Sequence, residues 1–91
     1  MKDIIKDLIK KSLDKIDKDN GISIENIEVG LCKDKRFGDF SSNIAMKFST
    51  RFESNPKKFA ENIIKEMQNN ENILKIEIAG PGFINFFTSK D

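Results

Sequence analysis

A turn between two apolar segments near the C-terminus constrains the fold of this chain more than any other stretch. In Ala79-Gly80-Pro81-Gly82-Phe83-Ile84-Asn85-Phe86-Phe87, Pro81 presets its own φ and Gly82 can take the positive φ that a type II turn requires. Upstream, Leu74, Ile76 and Ile78 alternate with Lys75 and Glu77, the period-two pattern of a half-buried strand. Downstream, Ile84 and Phe86 share one face, and Phe83, Asn85 and Phe87 the other. The hairpin therefore carries aromatics on both faces. Either both faces are covered, or one of them offers phenyl rings and an amide to a partner.

The rest of the chain supplies helices to cover one face. Met1–Asp17 spaces its apolar residues helically, with Asp7–Lys11 and Asp14–Lys18 as i,i+4 pairs and Asn20-Gly21 as the stop. Ile27, Val29 and Leu31 alternate with Glu28, Gly30 and Cys32, which predicts a strand from about Asn26 to Cys32. A charged segment, Lys33 to Phe40, follows, and Ser41 and Ser42 can cap a helix with Ile44, Ala45, Phe48 and Phe52 inward. Ser54-Asn55-Pro56 starts another helix, with Asn55 as N-cap, Pro56 at the first helical position and a stripe of Phe59, Ala60, Ile63, Ile64 and Met67. This order predicts one α+β domain over residues 1–91, a two-layer unit with helices packed on one face of a small, mostly antiparallel sheet. The other face is then open.

Composition removes most catalytic chemistry. The chain has no histidine and one cysteine, Cys32, so imidazole general bases, Ser-His or Cys-His nucleophiles, imidazole metal sites and thiolate clusters are excluded. Neither a Gly-x-x-x-x-Gly-Lys-Ser/Thr loop nor a Gly-x-Gly-x-x-Gly fingerprint occurs. Asp39, Glu25 and Glu28 form no spacing that separates them from the other acids as a catalytic group. Sixteen basic against fifteen acidic residues, a net charge of +1, argue against a strongly electrostatic nucleic-acid binder and leave room for a local basic patch. The lone cysteine fits a reducing compartment, so a cytoplasmic location is expected, and no apolar run is long enough for a membrane span.

What remains is recognition. A Phe on a strand can support an unpaired base, and an Asn amide can donate to and accept from its edge. Buried in a core, Asn85 would need partners or cost about 1–3 kcal/mol; beside Phe83 on the open face it is expected to be exposed. Lys33, Lys35 and Arg36 form the one dense basic cluster in a predicted loop, where charged and aromatic residues interleave as in a phosphate-contacting segment. The competing reading is a solvated loop with Phe37 and Phe40 tucked into the core, and Phe83 and Phe87 covered by a helix or a neighbouring domain.

Three motifs, in order, carry a resemblance: Phe37-Gly38-Asp39-Phe40-Ser41-Ser42-Asn43-Ile44-Ala45, then Asn55-Pro56-Lys57, then Ile76 to Phe86 with its Ala-Gly-Pro-Gly-Phe-Ile-Asn core. Together they resemble the N-terminal additional domain of arginyl-tRNA synthetase over essentially the whole chain. The resemblance implies a two-layer α+β domain that precedes a class I catalytic domain and contacts the D-loop at the outer corner of tRNA. It implies D-loop contacts at Phe83 and Asn85, with Gly80 in the adjoining turn; phosphate roles for Lys33, Lys35 and Arg36 are inferred from the residues alone. It further implies that ATP and Mg2+ belong to the parent enzyme, with no cofactor in this chain. The parent's His-Ile-Gly-His-type motif is missing, so the chain is expected to be an isolated domain or fragment, without aminoacylation activity of its own. The alternatives are a structural module that docks its open face on a catalytic domain or another protein, and a free-standing RNA-binding protein.

Overall fold

The structure, a computed structural model, describes residues 1–89. Helix α1 (Lys2–Ile16) buries Ile5, Leu8, Ile9 and Leu13 along one stripe, and Lys11 pairs with Asp7 on its outer side at 3.0 Å. It ends earlier than Asn20-Gly21 predicts: Asp17 is already extended, at φ −156°. Asp14 therefore pairs with Lys10 at 2.8 Å, not with Lys18. Asn20 has another task. Its buried amide donates to Asp14 Oδ1 and Asp17 O, and its oxygen accepts from the Ile22 N–H. With Gly21 at φ +71°, this clamp turns the chain back into the core at Ile22.

The expected strand over Asn26–Cys32 contracts to β1 (Gly30–Leu31). Ile24–Asn26 forms a 3-10 turn closed by reciprocal Ser23 and Asn26 bonds. Ile27 and Val29 are buried, as their alternation predicts, in an extended segment outside the ladder. Part of the missing pairing is supplied by a side chain, since Ser42 Oγ donates to Glu28 O at 2.6 Å. Ser41 and Ser42, read as helix caps, lie in strand β2 (Phe40–Ser42). Ser42 keeps a capping contact, its Oγ accepting from the Ile44 N–H at 3.3 Å.

Helix α2 (Ile44–Phe48) runs into a 3-10 turn at Ser49–Phe52. Helix α3 (Pro56–Lys65) starts as predicted: Asn55 Oδ1 accepts from the Lys58 N–H at 2.8 Å and Pro56 occupies the first turn. Phe59, Ala60 and Ile63 are buried, and Phe59 stacks on Phe52 with ring centroids 4.5 Å apart.

Strands β3 (Ile73–Ala79) and β4 (Phe83–Thr88) form the hairpin. The sheet order is β1-β2-β4-β3, antiparallel throughout. A register irregularity between Ile73 and Lys75 takes Leu74 out of the predicted alternation and leaves it 68% exposed; Ile73, Ile76 and Ile78 pack against the core. The turn also differs from the type II reading. Gly82 N–H donates to Ala79 O, so Gly80, at φ +56°, and Pro81 are its central residues. Ile84 and Phe86 of β4 are fully buried in one core with residues from all three α-helices; among the described residues, no α-helix packs on the opposite sheet face.

Candidate nucleic-acid interface

β4 lies between β2 and β3, and its alternation puts Phe83, Asn85 and Phe87 on the face away from the core. Register partners share that face: Ala79 beside Phe83, Ser41 and Glu77 on either side of Asn85, and Lys75 beside Phe87. Phe83 is exposed. Asn85 lies on the expected face but is only 5% exposed, which corrects the expectation of a free amide. Two neighbours cover it. Ser41 Oγ donates to its Oδ1 at 2.7 Å, and Gly38 lies beside its Cβ. A Cβ on Gly38 would stand 3.1 Å from Phe86 O and 3.4 Å from Asn85 Cβ, and Gly38 has φ +126°, so a side chain is disfavoured here on both counts. Phe87 is half-buried, with the Lys75 ammonium 4.5 Å from its ring centroid.

The basic loop bends through a 3-10 turn at Lys35–Phe37, which Asp34 caps by accepting from the Arg36 N–H. The same carboxylate takes the Arg36 guanidinium at 2.7–3.1 Å; this lowers the Asp34 pKa and raises that of Arg36. Lys35 Nζ stands 3.7 Å from Asp39. Among the described residues Lys33 makes no ion pair. Phe37 is not tucked into the core: it is 56% exposed with Arg36 above its ring, while Phe40 packs against the core.

Asp39 is a latch, not one member of an acid cluster. Its Oδ2 accepts from the Thr88 N–H at 2.8 Å and from Thr88 Oγ1 at 3.2 Å, and its own N–H donates to Phe86 O. Glu25 instead accepts from Ser23, and Glu28 from Asn43. Burial and the Asp39 carboxylate push the Cys32 thiol up, away from nucleophilic chemistry. Among the described residues, no His, Cys, Asp or Glu group is arranged to hold a metal ion, and no helix is long and apolar enough to cross a membrane.

Lys33, Phe37, Ser41, Ala79, Phe83 and Asn85 border one shallow recess of about 360 Å³ on the open face. Gly80 supports it from the turn, since a Cβ there would lie 3.7 Å from the Phe83 ring. This is an aromatic-walled recess that holds Asn85, with both Lys33 and the Asp34 carboxylate at its border.

Residues 3–88 match the family described as the arginyl tRNA synthetase N terminal domain. The chain belongs to this family. Within the arginyl-tRNA synthetase family, the arginine–tRNA ligase of Ectopseudomonas mendocina is 42% identical over 94 residues, covering 100% of this chain and 16% of that protein. The Pseudomonas fluorescens ligase is 44% identical over 91 residues, covering 96% and 16%. The chain thus spans about 16% of the length of these relatives. The arginyl-tRNA synthetase of Plasmodium falciparum superposes with a TM-score of 0.75 at 27% identity, covering 97% of this chain and 16% of that one. The Thermus thermophilus synthetase shares the fold, with a TM-score of 0.73 at 14% identity over 94% of this chain and 13% of that one.

This arginyl-tRNA synthetase N-terminal domain gathers Phe83, Asn85 and Lys33 around one recess, with Gly80 beneath Phe83. Lys35 and Arg36 lie on the adjoining turn, facing acids. Sequence reasoning missed Phe37 as a wall and Ser41 as the partner of Asn85. An aromatic between Arg36 and Gly38, in a segment too polar to be buried whole, was the available signal for the first. The second depends on the β2–β4 register, which no local pattern carries.

Proposed function

We propose that this chain is the tRNA-binding accessory domain of an arginine–tRNA ligase, and that the open face of its sheet meets the D-loop at the tRNA elbow. One observation carries the reading: the recess sets an exposed Phe83 beside the Asn85 amide, on the face the core leaves free. Family membership supports tRNA as the polymer. Phe83 stacks on a D-loop nucleotide, Asn85 hydrogen-bonds its edge, and Lys33 meets the backbone. Lys35 and Arg36 are further candidates, because solvent-exposed ion pairs contribute little and can be exchanged for phosphate. Arginine, ATP and Mg2+ are handled by the class I catalytic domain of the longer parent protein, in the cytoplasm.

Loss of one base stack costs about 1–3 kcal/mol. Phe83→Ala is therefore expected to lower kcat/KM for tRNA about 5- to 150-fold in a ligase carrying this domain, and Asn85→Ala about 2- to 13-fold, the value of one hydrogen bond, with the ATP and arginine KM unchanged. Unchanged kcat/KM for tRNA would refute the assignment. A second reading is docking on the catalytic domain of the same synthetase, favoured by Leu31 and Leu74, which are 66% and 68% exposed at the two edges of the sheet. Under docking, the same substitutions loosen the assembly and leave tRNA binding intact. Amide shifts induced by tRNA in this chain, mapped onto the β3–β4 hairpin, distinguish the two.

A further inference from the structure

The orientation of Asn85 has a consequence for what the recess accepts. A side-chain amide has one acceptor oxygen and one nitrogen with two N–H donors. Ser41, its register partner on β2, donates to the oxygen at 2.7 Å. Glu77, its register partner on β3, directs its carboxylate to Lys75 Nζ at 3.2 Å. Among the described residues, no acceptor pairs with Asn85 Nδ2. Asn85 as a residue is only 5% exposed, borders the recess and has Gly38 packed beside its Cβ.

We propose that Ser41 sets the hydrogen-bonding sense of this site: by occupying Asn85 Oδ1 it leaves Nδ2 to donate into the recess, which therefore takes a base edge bearing an acceptor, a ring nitrogen or a carbonyl oxygen. An edge that presents an amino group there leaves two donors opposed. Ser41 is a positioning residue that acts through Asn85, and Phe37 is the second aromatic surface of the same recess. The inference rests on the tRNA reading and specifies the chemistry of its contact.

The test uses this chain and an unmodified transcript of an arginine-accepting tRNA, with binding followed by fluorescence anisotropy and by ¹⁵N–¹H spectra. In the wild-type chain, the side-chain amide resonances of Asn85 shift on tRNA binding. Asn85→Asp keeps the shape and the bond from Ser41 but replaces the donor; it binds about tenfold more weakly, the value of one hydrogen bond, at salt high enough to screen the added charge. Ser41→Ala weakens binding several-fold and Ser41→Thr restores it, while the backbone spectra stay those of the folded chain. If Phe83→Ala weakens binding but Asn85→Asp does not, or the Asn85 side-chain resonances stay fixed, the donor assignment is overturned and the tRNA reading stands. If the chain fails to bind, or Phe83→Ala binds like the wild type, the tRNA reading falls and takes this inference with it.

Discussion

Asp39 joins the basic loop to the far end of the strand that carries the recess. Its carboxylate lies below the ordinary range, chiefly because it accepts from the Thr88 N–H; partial desolvation opposes this, and the Thr88 hydroxyl and Lys35 reinforce it. A carboxylate whose pKa is depressed in the folded state stabilises above its unfolded pKa, about 4, and that stabilisation is lost as the pH falls through the folded value. Thermal unfolding followed from neutral pH to about pH 2 is expected to show Asp39→Asn less stable than wild type at neutrality. The two curves should converge in acid. At this scale the sequence was half informative. Alternation assigned Phe83 and Asn85 to the right face, but exposure depends on what lies above, and Gly38 and Ser41 reach Asn85 only through the tertiary fold.

The hairpin and α3 meet at a glycine. A Cβ on Gly82 would lie 2.9 Å from Pro56 Cβ and 3.1 Å from its carbonyl carbon, and the residue has φ +147°, where side chains are rare. Gly82→Ala must therefore displace the hairpin tip or the first turn of α3. A cost of about 1–3 kcal/mol is expected, seen as a melting temperature lower by about 4–8 °C for each kcal/mol. Elements with local signals were legible: α1 from its apolar stripe, α3 from Asn55 and Pro56, and β4 from its alternation. Elements defined by a distant partner were not. β1 extends only where β2 pairs with it, and the register shift between Ile73 and Lys75 that leaves Leu74 exposed appears only in the pairing of β3 with β4. The turn was recognised as a turn and Gly82 does take a positive φ, yet the chain closed the turn one residue early, with Gly80 also at positive φ.

Over the whole molecule, sixteen cations nearly balance fifteen anions, and the basic loop itself pairs two of its cations with Asp34 and Asp39. Under the proposed tRNA reading, binding should therefore depend only moderately on salt. With Lys33, Lys35 and Arg36 as the available phosphate contacts, the slope of log K against log salt should be no steeper than about −3, measurable by anisotropy titrations at several salt concentrations. A much steeper slope would place the contact surface elsewhere on the chain. β4 adds a last consequence. It is paired on both sides and carries the core on one face and the recess on the other. Its backbone cannot loosen without opening the core, so Phe83 and Asn85 are preorganised to the same degree that the domain is folded. If the recess receives a nucleotide as proposed, the entropy of ordering on association falls on the incoming strand, and an RNA that already holds its base out of the stack binds at the smallest cost.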